Sequence, residues 1–287
     1  MTTQETDSIR LSPSAINTYY RSPRLFYYQY ILKMKTPLNI HLYKGNFVHK
    51  ILENLFSATS FRDTQAYCNN EIKKWNPPEF IHKDMTPEER ELQVKEVEMM
   101  LTTFCNRLNQ KIEMALVQGK AKDKHHAWNL IKPRMREQKI YDKERNIVGI
   151  IDSVETNFDK EVYVIDYKTS SLYKHTMATE YFRQISIYAY LYLKEHGRVP
   201  DYVGIDYLRY GEVYMVPLWI GNLKDMVIEQ AKNDIDMVRA HTKSRNIEDY
   251  PKGTDDFALR DIEYFEKKLA QKEESVEEIE DDIELDL

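Results

Sequence analysis

The sequence predicts an α/β fold in which a sheet is covered by helices. Segments of strand character are concentrated between residues 138 and 220, whereas the segments around them repeat apolar residues at helical spacing. The chain has 287 residues, of which 42% are hydrophobic and 31% are charged. This length and composition are typical of a globular protein with a sizeable core, and no apolar run is long enough to cross a bilayer.

Two helices are expected in the N-terminal part of the chain. Over residues 11–35, Ser12 can cap a helix and Pro13 suits its first turn, and apolar or aromatic residues then recur at helical spacing. A second helix is expected over about 43–59. The N-terminal part of the chain should therefore be helical.

A long charged helix is expected over residues 86–118. Its start carries Thr86, Pro87 and Glu89, the pattern of a capping box. Together with the residues around it, this helix predicts a helical insertion over about 60–130.

The hydrophobic period changes at residue 138. Strands are expected in the segments QKIYD, NIVGIIDSVE, EVYVIDYKT, DYVGIDYLRY and EVYMVPLWI. The turn KERN joins the first two strands, and a turn at Gly211 joins the last two. Helices at 177–195 and about 222–241 accompany the later strands, so the core of the sheet should lie within 138–241.

An acid and a lysine stand two residues apart at the end of the third strand. Asp166 and Lys168 should share one face of the sheet, and Asp152 follows three apolar residues in the preceding strand. If these strands are neighbours, the two carboxylates meet, and a divalent cation such as Mg²⁺ or Mn²⁺ relieves their repulsion. Lys168 can then orient a metal-bound water, as in metal-assisted phosphodiester hydrolysis. The alternative is a surface ion pair at a strand end.

These residues resemble a known nuclease pattern. The order Gly149, Asp152, then Asp166, Tyr167 and Lys168 is similar to the G-(x)₂-D and D-x-K elements of the PD-(D/E)XK nuclease superfamily. The D-x-K triplet is weak by itself, but three further segments resemble the RecB-like branch of that superfamily.

The further matches lie on predicted helices. The segment GNFVHKILE resembles G-x-x-x-H-x-x-L-E and supplies Gly45, His49, Leu52 and Glu53. QISIYAYLY is similar to Q-x-x-x-Y and supplies Gln184 and Tyr188, one helical turn apart. LSPSAINTYYRSPRLFYYQYIL resembles the opening helix of the branch. The four motifs occur in family order and span most of 11–220.

The resemblance implies a restriction-endonuclease-like core: a central mixed β-sheet flanked by helices, with an N-terminal helical region and a helical insertion. The metal ligands that it implies are His49, Asp152, Asp166 and the backbone carbonyl of Tyr167. Lys168 would position and activate the water, and Gln184 and Tyr188 would hold DNA or support Lys168. Glu53 and Glu137 are expected to be supporting or packing residues.

Charge is distributed unevenly along the chain. The formal net charge is -6, and residues 261–287 hold 12 acidic and 3 basic residues. Residues 120–139 carry seven Lys or Arg against two acids, with Trp128 among them. Basic residues mixed with aromatic ones suit a phosphate backbone and stacked bases, so Lys132, Arg134 and Arg136 are candidate DNA contacts. A solvated helix face is the alternative, and neighbouring His125 and His126 match no motif.

The acidic end of the chain is expected to be a separate segment. We predict one nuclease domain over 1–270 and a disordered tail over 271–287, because dense like charge resists compaction. Apolar residues spaced among the acids also suit a docking peptide for a replication or recombination protein.

The two cysteines, Cys68 and Cys105, are expected to be ordinary packing residues. Iron–sulfur nucleases of the AddB and CRISPR-adaptation types have a cysteine where this chain has Ser22, and a cluster needs four thiolates. We therefore expect no iron–sulfur cluster, with the N- and C-terminal parts joined by packing. The cysteine count and the absence of a recognisable secretory signal favour a cytoplasmic location.

The resemblance implies a DNA nuclease, foremost an exonuclease that acts on DNA ends or single strands in recombination, repair or replication. Two alternatives stay open: a DNA-binding or recombination-scaffold protein that retains a nuclease fold without activity, and a structure-specific endonuclease.

Overall fold

The computed structural model describes residues 9–170 and 178–284, with side chains described as far as Gln271. The chain forms two compact units. The first comprises Met1–Pro37, Arg145–Ile147 and Asp234–Leu287, and the second comprises Leu38–Glu144 and Val148–Asn233. The expected single nuclease domain over 1–270 stays a prediction.

The α-helices, in chain order, are α1 (Pro13–Arg21), α2 (Pro23–Phe26), α3 (Ile40–Ala58), α4 (Thr64–Ile72), α5 (Glu79–His82), α6 (Pro87–Val117), α7 (Lys124–Ile131), α8 (Thr179–His196), α9 (Leu223–His241) and α10 (Asp256–Glu284). The strands are β1 (Met135–Asp142), β2 (Ile147–Thr156), β3 (Val162–Lys168), β4 (Tyr202–Tyr207) and β5 (Glu212–Pro217). Within the described residues, no helix is both long enough and apolar enough to span a bilayer.

The sheet is mixed, and its strands lie in the order β1-β2-β3-β4-β5. β2 pairs antiparallel with β3, β3 pairs parallel with β4, and β4 pairs antiparallel with β5. The parallel pair requires a crossover connection, and α8 supplies it. The predicted α/β fold with a central mixed sheet flanked by helices is confirmed.

The core of the second unit lies among α3, the insertion helices and β3. Its buried members include Leu55 from α3, Leu101 and Phe104 from α6, and Ile165 from β3. The capping box predicted for α6 is present, since Thr86 and Glu89 exchange both hydrogen bonds. Cys68 and Cys105 are buried free thiols on α4 and α6 with sulfurs 3.7 Å apart. The predictions of a helical insertion and of packing cysteines agree with this arrangement.

Two motif glycines permit close packing at the end of β3 and under α8. A side chain at Gly45 would meet the Thr169 hydroxyl at 3.3 Å, so α3 passes close to the end of β3. A side chain at Gly149 would meet Leu191 of α8 at 2.5 Å. Each glycine therefore lets a helix that bears motif residues approach the sheet.

The N-terminal helix of the first unit is broken where the sequence predicts one helix over 11–35. Ser22 is extended and Pro23 begins α2, because proline has no N–H for the preceding turn and disfavours a helical residue before it. A π-helical turn over Tyr27–Ile31 follows. The Ser22 hydroxyl donates to the Lys252 carbonyl at 2.6 Å, which joins the two terminal segments of this unit.

Other boundaries also differ from the prediction. β1 begins at Met135 instead of 138, because the Arg134 amide already donates to the Val154 carbonyl at 2.7 Å. α10 continues to Glu284, whereas the sequence predicts disorder from 271; apolar residues at helical spacing run through this segment. The proposed docking role falls on side chains beyond Gln271, which lie outside the described residues, as do residues 171–177.

Candidate metal and active centre

The hairpin of β2 and β3 brings the two predicted aspartates together. Ser153 pairs with Ile165, so Asp152 and Asp166 follow as the next opposed positions. Both side chains are buried, with 7% and 2% of their surface exposed. The carboxylates that the sequence predicts to meet therefore lie side by side on one face of the sheet.

The peptide group of Tyr167 contacts both Asp152 and His49. Its amide donates to Asp152 Oδ2 at 2.7 Å, and its carbonyl lies 3.1 Å from His49 Nε2. The Tyr167 ring points to the opposite face and packs edge-on against Phe104 at 5.8 Å. The Tyr167 carbonyl thus lies beside His49, while the Tyr167 side chain is part of the core.

A group of three potential metal ligands gathers beside this peptide. His49 from α3, Glu137 from β1 and Asp152 from β2 each offer a ligand atom, and these atoms lie within 4.8 Å of one another. His49 Nδ1 is 3.4 Å from Glu137 and 3.6 Å from Asp152. Sequence reasoning assigned Glu137 a packing or supporting role, whereas the structure brings its carboxylate into the group. Glu53 instead pairs with Lys50 at 2.7 Å.

The backbone at Glu137 is strained. Its φ is 45°, in the left-handed region that residues with a side chain seldom occupy. Such strain persists where the surrounding structure imposes it, and it is concentrated at functional sites. The conformation accompanies the turn of the Glu137 carboxylate toward His49 and Asp152, and a strand prediction that begins at 138 misses it.

Substitutions at Glu137 separate backbone strain from ligand loss. Glu137→Gly and Glu137→Ala remove the same carboxylate, but only glycine adopts this φ freely, so we expect the glycine variant to be more stable by about 1 kcal/mol. Both variants should bind Mn²⁺ about tenfold more weakly, which is about 1.4 kcal/mol. Denaturant unfolding in a chelator and calorimetric Mn²⁺ titration would measure the two effects. Equal stabilities would contradict the strain, and unchanged Mn²⁺ affinity would remove Glu137 from the ligand group.

Lys168 is surrounded by the remaining motif residues. Its Nζ lies 2.8 Å from Asp166 Oδ2 and donates to Gln184 Oε1 at 2.8 Å. The Gln184 amide nitrogen donates to Asp166 Oδ1 at 2.8 Å and to the Tyr188 hydroxyl at 3.1 Å. Gln184 therefore links Lys168, Asp166 and Tyr188 in one hydrogen-bond network.

A tyrosine that the sequence analysis did not select completes the surroundings of Lys168. The Lys168 ammonium lies 4.9 Å from the centre of the Tyr181 ring. Tyr181 precedes Gln184 and Tyr188 by three and seven residues on α8, so the three side chains share one helix face. This spacing is the sequence signal that could have identified it.

The electrostatics of the centre favour protonation of His49 and Asp152 in the metal-free protein. Burial alone would lower the pKa of His49, but its hydrogen bond to Glu137 and the nearby carboxylates raise that pKa to about 9. Burial and the charge of Asp166 raise the pKa of Asp152 to about 8. Divalent-cation binding must therefore displace protons from this group.

The pKa of Lys168 is raised as well. Burial alone would lower it, but the negative charge of the adjacent Asp166 carboxylate outweighs burial. The side chain is thus an ammonium ion at neutral pH, and it can donate hydrogen bonds but cannot accept a proton.

The raised pKa of His49 predicts how stability depends on pH when a chelator is present. The unfolded imidazole titrates near 6.5 and the folded one near 9. The folded state therefore keeps a proton that the unfolded state loses, and the stabilisation is full below pH 6.5 and lost as pH rises through 9. The free energy of unfolding should fall by at most about 3 kcal/mol from this group.

Denaturant unfolding of the wild type and of His49→Gln at pH 6 and pH 9.5 would test this expectation. The wild type should lose more stability between these pH values than the variant does. Parallel losses in the two proteins would show that His49 is not the group responsible.

The candidate DNA contacts lie in and next to β1. Arg136 donates to the Ser57 hydroxyl at 2.9 Å, and its guanidinium lies 5.7 Å from the Phe56 ring centre. The Lys132 ammonium is 5.5 Å from the Trp128 ring centre. The side chain of Arg134 is exposed. Arg136 directly precedes Glu137 in the sequence.

The donor set of the centre fits a divalent cation. It combines one imidazole nitrogen with carboxylate oxygens, which suit hard or borderline divalent ions. In addition, Asp166 Oδ2 is buried and accepts no well-directed hydrogen bond from the described residues, although Lys168 Nζ lies 2.8 Å away. A buried carboxylate oxygen without a well-directed hydrogen bond can coordinate a cation.

The chain belongs to the PD-(D/E)XK nuclease superfamily, whose family description matches residues 10–284. That match covers nearly the whole chain, and the fold and the Asp152–Asp166–Lys168 arrangement agree with it. Nucleases of this superfamily use divalent metals.

The chain is also similar to part of a set of curated bacterial proteins. The chain is 24% identical over 234 residues to one of the subunits of the ATP-dependent helicase/deoxyribonuclease of Streptococcus agalactiae, in serotypes Ia, V and III. The match covers 78% of this chain and 20% of each relative, so the chain spans about a fifth of their length. A solved structure, the crystal structure of SSO0001, aligns with 68% of this chain and 86% of its own, at 16% identity and a TM-score of 0.24.

Proposed function

We propose that this protein is a metal-dependent deoxyribonuclease that acts on DNA ends or single strands in recombination, repair or replication. The observation that carries the proposal is the convergence of Asp152, Asp166 and Lys168 beside a histidine and a further carboxylate. Membership of a nuclease superfamily and the deoxyribonuclease named among its relatives support the same activity.

The cation that we propose for the centre is Mg²⁺ or Mn²⁺. His49, Glu137 and Asp152 would hold it, and Asp166 and the Tyr167 carbonyl are further candidate ligands. When bound, such an ion offsets negative charge on the phosphate and lowers the pKa of a coordinated water.

Lys168 orients the attacking water in this proposal. As an ammonium ion it donates an N–H to the water oxygen, which directs an oxygen lone pair at phosphorus. The water oxygen forms a bond to phosphorus while the bond from phosphorus to the 3′ oxygen breaks. The water loses a proton to solvent and the 3′ oxygen gains one, which leaves a 5′-phosphate and a 3′-hydroxyl.

The other motif residues keep these groups in place. Gln184 accepts a hydrogen bond from Lys168 and donates one to Asp166, so it fixes the distance between the Lys168 ammonium and the Asp166 carboxylate. Tyr188 anchors the Gln184 amide from the far side. The DNA backbone is proposed to contact three basic residues in and next to β1: Lys132, Arg134 and Arg136.

One assay separates this proposal from its alternatives. The protein is incubated with Mg²⁺ and end-labelled linear DNA, single-stranded and double-stranded, alongside covalently closed circles, with Asp166→Asn as the inactive control. We expect the linear DNA to be degraded and closed circles to survive. Cleavage of the circles would indicate an endonuclease, and binding without cleavage in Mg²⁺ or Mn²⁺ would indicate a binding protein.

A further inference from the structure

The ammonium of Lys168 has three N–H groups, and the structure shows what surrounds them. One N–H is donated to Gln184 Oε1 at 2.8 Å, and Asp166 Oδ2 lies at 2.8 Å as a charge partner. The face of the Tyr181 ring lies 4.9 Å from the ammonium. Three chemically different groups therefore hold this cation: an amide, a carboxylate and an aromatic ring.

Of these three contacts, the one between Lys168 and the Asp166 carboxylate is the one that metal binding would weaken. Asp166 is also a candidate metal ligand, and a cation that takes Asp166 as a ligand competes with Lys168 for the same carboxylate. Lys168 would then depend on its remaining contacts to stay in place. A lysine side chain has four rotatable bonds, so an ammonium held by one hydrogen bond alone samples many positions.

Neighbouring side chains hold the Tyr181 ring in place. Its hydroxyl lies 3.4 Å from the Ser170 hydroxyl, and its ring centre lies 6.1 Å from that of Tyr207. Tyr207 is 2% exposed, so one neighbour of the ring belongs to the packed sheet. The ring face attracts a cation through its quadrupole, and this attraction does not depend on Asp166.

We propose that Tyr181 is a positioning residue that, together with Gln184, keeps the Lys168 ammonium oriented while Asp166 serves a metal ion. The inference rests on the proposed nuclease function for its catalytic consequence, but the ring contact itself can be tested without any cleavage. Because the aromatic ring makes the contact, phenylalanine at position 181 should preserve the orientation of the Lys168 ammonium, whereas an aliphatic residue should not.

The first experiment observes the contact directly. The protein is labelled with ¹³C-lysine, and the Lys168 ε-methylene signal is assigned by its loss in Lys168→Met. With Mg²⁺ present, we expect this signal to be shifted upfield by the ring in the wild type and in Tyr181→Phe, and to move to the position of an ordinary lysine in Tyr181→Leu. The same chemical shift in the wild type and in Tyr181→Leu would overturn the proposal.

The second experiment measures turnover on linear DNA at saturating Mg²⁺. We expect Tyr181→Phe to stay within about twofold of the wild type and Tyr181→Leu to lose about tenfold in kcat, with KM for DNA unchanged. Tyr214→Leu, at a 40% exposed tyrosine of β5, is the matched control and should keep full turnover. If Tyr181→Leu does not fold, Tyr181→Met takes its place.

The two experiments fail in different ways. A loss in Tyr181→Phe equal to that in Tyr181→Leu would overturn the ring contact in favour of the hydroxyl. Full turnover in Tyr181→Leu would also overturn it. If the wild type cleaves no DNA, the proposed function fails, and the lysine chemical shifts alone decide whether the ring holds the ammonium.

Discussion

Asp166→Asn is expected to lower DNA cleavage by at least about a thousandfold and to leave the fold and DNA binding intact. Asp166 accepts from Gln184 Nε2 through one oxygen and faces the Lys168 ammonium through the other. Asparagine offers one oxygen for these two donors, so one of them loses its acceptor. The substitution also removes the negative charge that would bind a metal ion beside Asp152.

DNA should bind slightly more tightly to Asp166→Asn at low salt, because the phosphate backbone then meets one negative charge fewer. Single-turnover cleavage in Mg²⁺ and fluorescence anisotropy with labelled DNA would measure the two effects. Asp159→Asn, at an exposed carboxylate that pairs with Lys120, changes the net charge equally and should cleave normally. Turnover within tenfold of the wild type in Asp166→Asn would refute the assignment of this aspartate.

Lys168→Met is expected to have opposite effects on catalysis and on metal binding. Cleavage should fall by at least about a thousandfold, because the water loses its N–H donor. The affinity for Mn²⁺ should rise about tenfold, since the ammonium no longer neutralises Asp166 and no longer repels the incoming cation. In a chelator the variant should melt at a lower temperature, because Asp166 is left buried without its charge partner.

Calorimetric Mn²⁺ titration and thermal unfolding with and without the ion would check this pattern. Lys111→Met provides the control, because Lys111 is about half exposed, pairs with Glu155 and belongs to none of the contacts described for the centre, so its loss should change neither property greatly. Weaker Mn²⁺ binding in Lys168→Met would mean that this lysine supports the metal site and does not compete with it.

The sequence predicts β3 and the position of Asp152 because the apolar run of this strand and its short connection to β2 are both visible in the sequence. β3 is a continuous apolar run that ends in Asp166 and Lys168, and a short turn connects it to β2, so the hairpin fixes the position of Asp152. The helical motifs are equally local: His49, Gln184 and Tyr188 lie on amphipathic helices whose period is visible in the sequence.

Other features depend on tertiary structure or are concealed by a stronger local pattern. Glu137 joins the ligand group because β1 begins early and turns through a left-handed backbone, and neither property follows from residue type. The break at Ser22 is marked by the following Pro23, but the aromatic periodicity continues through it and conceals it. The ring of Tyr181 meets Lys168 only after α8 has packed across the sheet.

The separation of the ligand group along the chain has a consequence for biosynthesis. His49 meets the Tyr167 carbonyl across 118 residues, and Gln184 must follow before Lys168 is anchored. Contacts of such long range form late in folding, because the intervening chain must first be ordered. A nascent polypeptide that has emerged from the ribosome only as far as β2 therefore holds His49, Glu137 and Asp152 without the strand that aligns them. Hydrolytic competence should therefore appear only with the completed β3–α8 segment.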